Sequence, residues 1–440
     1  MTDVTVSELR QSIGIAASSE KNWVKENPIA VGESKIINLP RAFSDQISYI
    51  TKISSKHLII PLEGALQGWD LERHTPAGKY EMNADTLIVD LVLDGCSRSL
   101  FCLTSDVVPV RRLDGFGIHV SLFLIRVGIP EPGSTQELDF EETARMTLTL
   151  PFSSEIYFLN ASERMFCSVF SCSPKQTTGI WVVLDWDTEE AVMFDTGIPY
   201  SYGKVRVSLS AERDFLVVYS ENKDCVFRRW YSLMDVPRSS QPWSALEFVS
   251  TNAQQPAKSE ISKWDNAFKL LSQPGSAPYV FWQLHQNPCP PSLGIPDRFS
   301  TIILYASLSD LDSSLKTWRI VQHYSDQNGP CSPARALITL SYPVLSPNEP
   351  SEHYMPILCL SFNHIGWIEE IKAEDGNKRV FKLLTLPDPG TTHRGDLTST
   401  ARALDIPSEE LEDVLHVLLD ATQGLIIAAT FSNVLRVYHY

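Results

Sequence analysis

Short apolar runs separated by polar turns fill most of the chain, and their internal pattern recurs. The segment "VRVSLSAERDFLVVYSENKDCVFRRWYSL", from Val205, has an alternating start, a polar turn, a continuous apolar run, a second polar turn and an alternating strand with aromatics. "VLHVLLDATQGLIIAATFSNVLRVYHY", from Val414, repeats that order. So does "ISYITKISSKHLIIPLEGALQGWDL" from Ile47, with "ALQGWDL" as its third strand. "IYFLNASERMFCSVFS" from Ile156, continued in "GIWVVLDWDTEEAVMF", fits the frame, as does "ILCLSFNHIGWIEEIKAEDGNKRVFKLLTL" from Ile357. "LIVDLVLDGCSRSLFCLTSD" from Leu87 fits with its third strand deferred to "IHVSLFLIRV". A seventh, divergent unit comprises "YVFWQLHQNP", a long loop, "TIILYASLSDL" and "LKTWRIVQHY".

A strand buried on both faces reads as a continuous apolar run, and one with a wet face alternates. A single small sheet cannot bury both of its faces, whereas sheets stacked radially can. The pattern therefore predicts an all-β chain, a β-propeller of about seven blades. The last unit finishes on its third strand, and "SKIINLP", Ser34 to Pro40, is a strand of the right length to complete it. It is expected to close the ring by pairing with the strand that ends at Tyr440, leaving no open inner edge.

Helical periodicity is clear at one place only. Thr5 and Glu8 form a capping box, after which Leu9, Ile13, Ala16 or Ala17, and Trp23 fall near one face. Shorter helices are expected at Ile406–Val414, with Ser408 as cap, and around Trp264 in "SEISKWDNAFKLL". The domain reading is an N-terminal helix and linker over 1–30 and a single ring over 31–440. Polar, Pro-rich loops are expected at 131–144, 249–262, 286–298, 344–354 and 386–405.

Composition adds limits. Apolar residues are 43% and charged residues 20%, which is ordinary for a globular chain. A net charge of −16 argues against nucleic-acid or anionic-membrane surfaces. None of the eight cysteines forms a C-x-x-C pair, and most sit in apolar runs, as expected of reduced core thiols. "MTDVTVSELRQ" is not a signal peptide, and the longest apolar run, "IHVSLFLIRVGI", is interrupted by His119 and Arg126. An intracellular monomer, cytoplasmic or nuclear, is expected, and the sequon at Asn160 is a chance match.

Candidate chemistry is sparse. "VLDWDTEEAV" clusters Asp185, Asp187, Glu189 and Glu190, and paired carboxylates could serve a glycosidase. Yet Trp186-Asp187 repeats Trp69-Asp70, a strand end followed by a polar turn, so a turn-capping aspartate is the better reading. "DGFGIHV" has Gly115 and Gly117 but neither the third glycine nor the helix that phosphate binding needs. His74 and His393 lie in loops and His416 in an alternating strand, with no metal-ligand spacing. Arg111-Arg112 and Arg228-Arg229 read as solvated basic pairs. No catalytic residue, cofactor site or metal ligand is expected. Trp69, Trp181, Trp186, Trp230, Trp318 and Trp367 are expected to pack between sheets. Trp243 and Trp264, in or near loops, are candidate anchors for a protein partner on the loop face of the ring.

"ELRQSIGIAASSEKNWVKENP", followed by "HLIIPLEGALQGWDL" and "TLIVDLVLDGCSRSLFCLTS", resembles the region after the F-box in F-box proteins of basidiomycete fungi. In that family a helix ending near an "NW" pair, here Asn22-Trp23, leads into a WD-repeat-like propeller. "LDWDTEEAVMF" and "LLDATQGLIIAATFSNVLRVYHY" resemble its later and terminal blades. The resemblance implies the substrate-recognition part of a ubiquitin-ligase receptor, with ligase subunits as possible partners. The family's "LPxEIL"-type F-box is not seen before Trp23. The chain is thus either an isolated recognition ring or the portion after an upstream F-box. The alternatives are a propeller hydrolase with channel carboxylates and a scaffold unrelated to ubiquitin ligases.

Overall fold

The computed structural model describes residues 6–23, 25, 28–43, 50–54, 56–83, 86–94, 99–112, 115–130, 136–151, 153–160, 166–172, 178–185, 190–199, 206–209, 215–221, 225–234, 238–239, 254–263, 279–286, 298–307, 315–326, 335–343, 357–361, 364–373, 376–385, 401–421 and 423–440. Helix α1 (Val6–Trp23) and strand β1 (Lys35–Asn38) come first. Among the described residues, seven antiparallel sheets hold the strands.

The first sheet is β2 (Thr51–Lys52), β3 (His57–Leu62), β4 (Ala65–Asp70) and β5 (Thr75–Glu81). The second is β6 (Leu87–Asp94), β7 (Ser99–Arg112), β8 (Gly115–Gly128) and β9 (Asp139–Pro151). The third is β10 (Ser153–Asn160), β11 (Phe166–Cys172), β12 (Thr178–Asp185) and β13 (Glu190–Pro199), followed by β14 (Arg206–Leu209), β15 (Phe215–Glu221) and β16 (Cys225–Ser232) of the fourth. The short β17 (Arg238–Ser239) returns to the third sheet, and β18 (Lys258–Lys263) completes the fourth. The fifth is β19 (Tyr279–Gln286), β20 (Arg298–Ser307), β21 (Leu315–Asp326) and β22 (Arg335–Pro343). The sixth is β23 (Leu358–Ser361), β24 (His364–Ala373), β25 (Gly376–Thr385) and β26 (Arg402–Ala403). Helix α2 (Ser408–Leu411) leads to β27 (Val414–Asp420), β28 (Leu425–Thr430) and β29 (Val434–His439), and β1 is the fourth strand of this last sheet.

All seven units expected from the pattern are thus present as consecutive strands, and each has at least one further strand on the side of its third. β1 pairs β29 antiparallel from Lys35↔Val437 to Asn38↔Val434, the pairing expected of "SKIINLP". The chain falls into two compact units. One holds the first four sheets and the other holds α1, β1 and the last three sheets.

In the first unit the facing sides of the first two sheets share a core. Ile59, Leu66 and Ala77 pack with Cys102, Ile125, Val127 and Leu138. Trp69 and Trp230 are buried as expected, and Lys258 lies 4.6 Å from the centre of the Trp230 ring. In the second unit one cluster joins Cys359, Ile368 and Phe381 of the sixth sheet to Val417, Ile426 and Tyr438 of the seventh. Trp23 belongs to that cluster and is fully buried. Its carbonyl accepts a bond from Arg402 Nη1 at 3.1 Å, and its indole meets the His364 ring edge-on at 5.0 Å. Asn22 clasps the returning chain, donating from Nδ2 to the Ile29 carbonyl at 2.8 Å. The Asn22-Trp23 pair therefore fastens α1 to the sheets.

Several expectations are corrected. Thr5 of the expected capping box lies outside the described residues. The helix at 406–414 shrinks to α2, and Ser408 does not cap it. The N-cap is Pro407, and Ser408 Oγ accepts instead from the backbone N–H of Arg379 at 2.9 Å. The helix around Trp264 is not formed over Lys258–Lys263, which is strand. There the N–H of Ala257 bonds the Trp230 carbonyl at 2.8 Å, and sheet pairing overrides the helical spacing. Strands also enter three segments expected as loops, at Asp139, Lys258 and Arg402. Each begins an outer strand with one face toward water, so its composition reads as loop.

Among the described residues of the second unit, His364 is fully buried and His416 half-buried, and both are held uncharged. Burial lowers His364 to about 4, and likewise His416, from an ordinary value of 6.5. A histidine whose folded pKa lies below its unfolded one binds protons more readily in the unfolded chain. Stability from these groups is complete above about pH 6.5 and is lost as the pH falls toward 4. Each histidine is expected to cost about 2 kcal/mol at pH 5. Urea melts at pH 7.5 and pH 5 check this, and His364→Gln should flatten the acid limb; an unchanged limb in that variant would contradict it.

A polar cleft between two outer strands

The candidate site lies where β5 and β9, the outer strands of the first two sheets, meet. Leu138, just before β9, donates its N–H to the Ala77 carbonyl at 2.8 Å. Gly78 permits the approach: its φ is +112°, and a Cβ there would sit 2.6 Å from the Leu138 carbonyl oxygen. On the neighbouring strand the buried Gln67 donates from Nε2 to the Gly78 carbonyl at 2.6 Å, beside a register shift between Gln67 and Trp69.

A second irregularity builds the site itself. On a regular strand, residues three apart point to opposite faces. In the β8–β9 ladder Leu124 pairs Ala144 and Ile125 pairs Glu142, so Thr143 is an extra, bulged residue. Its hydroxyl bonds the Leu124 carbonyl at 3.1 Å and holds the bulge. Glu142 and Arg145 are thereby brought to one face. Phe123, directly opposite Arg145 in the ladder, shares that face with Ile125.

The resulting interactions form a chain. The guanidinium of Arg145 lies 4.3 Å from the centre of the Phe123 ring. It donates to Glu142 twice, from Nε at 2.9 Å and Nη2 at 3.1 Å. From the other sheet, the Tyr80 hydroxyl donates to Glu142 Oε2 at 2.9 Å. The Arg145 bond is the main reason the Glu142 carboxyl titrates below its ordinary range; burial opposes the shift and the Tyr80 bond adds to it. Burial, and then the bond to Glu142, push the Tyr80 hydroxyl up. A cleft of about 330 Å³ opens beside these groups, with Glu81, Met82, Asn83 and Thr86 completing its lining. Glu81 is held in turn by Lys79 and Arg41, at 2.6 and 3.0 Å. The arrangement has the two elements that bind a planar cation, an aromatic face and a carboxylate presented edge-on.

The residues singled out in the sequence lie elsewhere. Trp243, Trp264, Asp187, Glu189 and His393 fall outside the described residues. Asp185 and Glu190 pair across the mouth of the β12–β13 hairpin. Asp70 is a turn residue: its Oδ1 accepts the N–H groups of Glu72 and Arg73 at 2.8 and 2.9 Å. Burial opposes its ionisation, but those two donors and the nearby His57 outweigh it and hold the carboxyl low. His74 occupies the same turn, with φ of 57°. Among the described residues no group of three or more His, Cys, Asp or Glu is placed to hold a metal ion, and no helix is long and apolar enough to cross a membrane. Tyr80, Phe123, Glu142 and Arg145 carried no sequence signal, because their meeting depends on the bulge.

No family model and no curated protein matches the chain. Among solved structures, the WD40 domain of SCAP from fission yeast is 10% identical with a TM-score of 0.40, covering 95% of this chain and 98% of that one. The N-terminal domain of Nup159 is 10% identical with a TM-score of 0.39, over 94% and 98%. Hydrazine synthase of Kuenenia stuttgartiensis is 10% identical with a TM-score of 0.39, over 89% and 94%. Likeness at this level carries no information about function.

Proposed function

We propose that the chain is a β-propeller that binds other proteins, as the substrate-recognition part of an F-box-type ubiquitin-ligase receptor. The observation that supports this reading is the order of the sheets. Seven sheets follow one another along the chain, and the last is completed by β1 from the other end of the sequence. Sheets ordered in this way suit a ring closed by pairing early and late strands, and a ring presents its connecting loops as a binding surface. The fungal resemblance supplies the ligase connection, through Asn22-Trp23 and the blade-like segments.

Affinity capture with the tagged full chain from a basidiomycete cell tests the proposal. Recovery of a cullin and its adaptor, together with proteins that accumulate when the chain is depleted, is the expected result. Stable protein partners with no cullin or adaptor would remove the ligase role and leave a scaffold. Electron microscopy of the purified chain tests the ring, and an open arrangement of sheets would overturn it.

A further inference from the structure

We propose that the cleft beside Phe123 and Glu142 receives the guanidinium of an arginine from a protein partner, and that Arg145 occupies this position in the free chain. The proposal rests on the protein-binding reading above and names the chemistry that one contact would use.

Three observations carry it. First, the recognition elements do not depend on Arg145 for their placement. Glu142 is held by Tyr80 across the two sheets at 2.9 Å, and Phe123 is fixed in the interior of β8, so both stay in position when Arg145 leaves. Second, Arg145 is open to exchange. Its side chain is 61% exposed against 28% for Glu142 and it sits on an outer strand, so a competing guanidinium can reach its partners from solvent. Third, the space continues beyond it: the cleft of about 330 Å³ is at the lower end of the size range of small-ligand sites. A rim salt bridge between neighbouring residues needs no such space beside it.

Arginine is the cation that fits. Glu142 already accepts two parallel N–H bonds and Phe123 already covers a planar cation, and lysine can reproduce neither geometry in full. The charge balance agrees. The chain carries −16 overall, a net charge that favours a cationic partner. An arginine arriving on a partner makes the bonds Arg145 makes now and buries them under its own backbone, where they are stronger. Arg145 then swings to solvent on its flexible stem.

The test titrates N-acetyl-arginine amide into the full chain and follows amide or methyl NMR shifts. Arg145→Ala is expected to bind at least tenfold more tightly than wild type, and adding Glu142→Gln is expected to abolish the gain. N-acetyl-citrulline amide, a neutral isostere, should not bind either protein. Equal binding by wild type and Arg145→Ala, or equal binding of citrulline and arginine, would overturn the proposal. If the alanine variant melts early, Arg145→Gln keeps most of the stem and removes the charge, and the same gain is expected. Failure of this titration with the cullin still captured removes the arginine site alone. A tightened titration with protein partners captured but no cullin or adaptor removes the ligase role alone.

Discussion

Removal of residues 1–40 is expected to destabilise the second unit by more than about 5 kcal/mol, although none of the described residues among them lines the cleft. The deletion takes away Trp23, which is fully buried between the sixth and seventh sheets, and emptying a site of that kind costs about 3–5 kcal/mol by itself. It also removes Ile37, 2% exposed, and four ladder pairs along β29. The bond from Ser34 Oγ to Glu410 goes too, leaving Tyr438 to hold that carboxylate at 2.7 Å. Finally, β29 becomes an open edge beside exposed Phe431. Thermal melts and size-exclusion chromatography check this. The truncated chain should melt well below the full one and associate through the uncovered strand. An unchanged melting temperature would refute the role given to β1 and Trp23. Trp23→Ala alone, expected to show roughly half to two-thirds of the effect, separates the two contributions.

Among the described glycines of the same unit, Gly424→Ala should be the most damaging methyl addition, on the order of 3 kcal/mol. Gly424 sits in the β27–β28 turn at φ +62°, where a side chain is strained by about 1–2 kcal/mol before any contact is considered. A Cβ there would also overlap the carbonyl oxygen of Tyr440 and lie 2.5 Å from Ser19 Oγ. Neither neighbour can yield easily. The Tyr440 N–H bonds the Gly424 carbonyl at 2.7 Å, and Ser19 is a buried residue one turn before Trp23 on α1. Denaturant melts of Gly424→Ala and of the double variant Gly424→Ala, Ser19→Gly check the account. Removing the Ser19 side chain should recover the part due to that contact and leave the strain. No recovery would show that the strain and the Tyr440 overlap together set the cost.

How much of this was legible in the sequence differs by strand position. The first three strands of each unit were readable because a strand between two others is apolar on both faces, as in "LIIAAT" of β28, buried at every residue. Outer strands were not. In β5 only Ala77 is buried, and β17 and β26 are two residues each, too short for any period to show. β1 is the exception, readable because the last unit lacked an outer strand and one apolar run was left over. Asp70 was readable as a turn residue because the Trp-Asp pair recurs at a strand end. The cleft was not. Glu142 and Arg145, three apart on a strand, should face opposite ways, and only the bulge at Thr143 against β8 brings them together. That bulge is a property of the ladder and leaves no mark on "FEETARM" itself.

The pairing of β1 with β29 also sets a timetable. At roughly 5–20 residues per second, the ribosome needs on the order of 20–80 s to travel from Asn38 to Val434. Throughout that interval the early strand and the Trp23 indole have been made and their docking surface has not. The nascent chain therefore carries an apolar N-terminal segment with nowhere to go until β29 has left the ribosome. Folding of the last sheet waits for that moment.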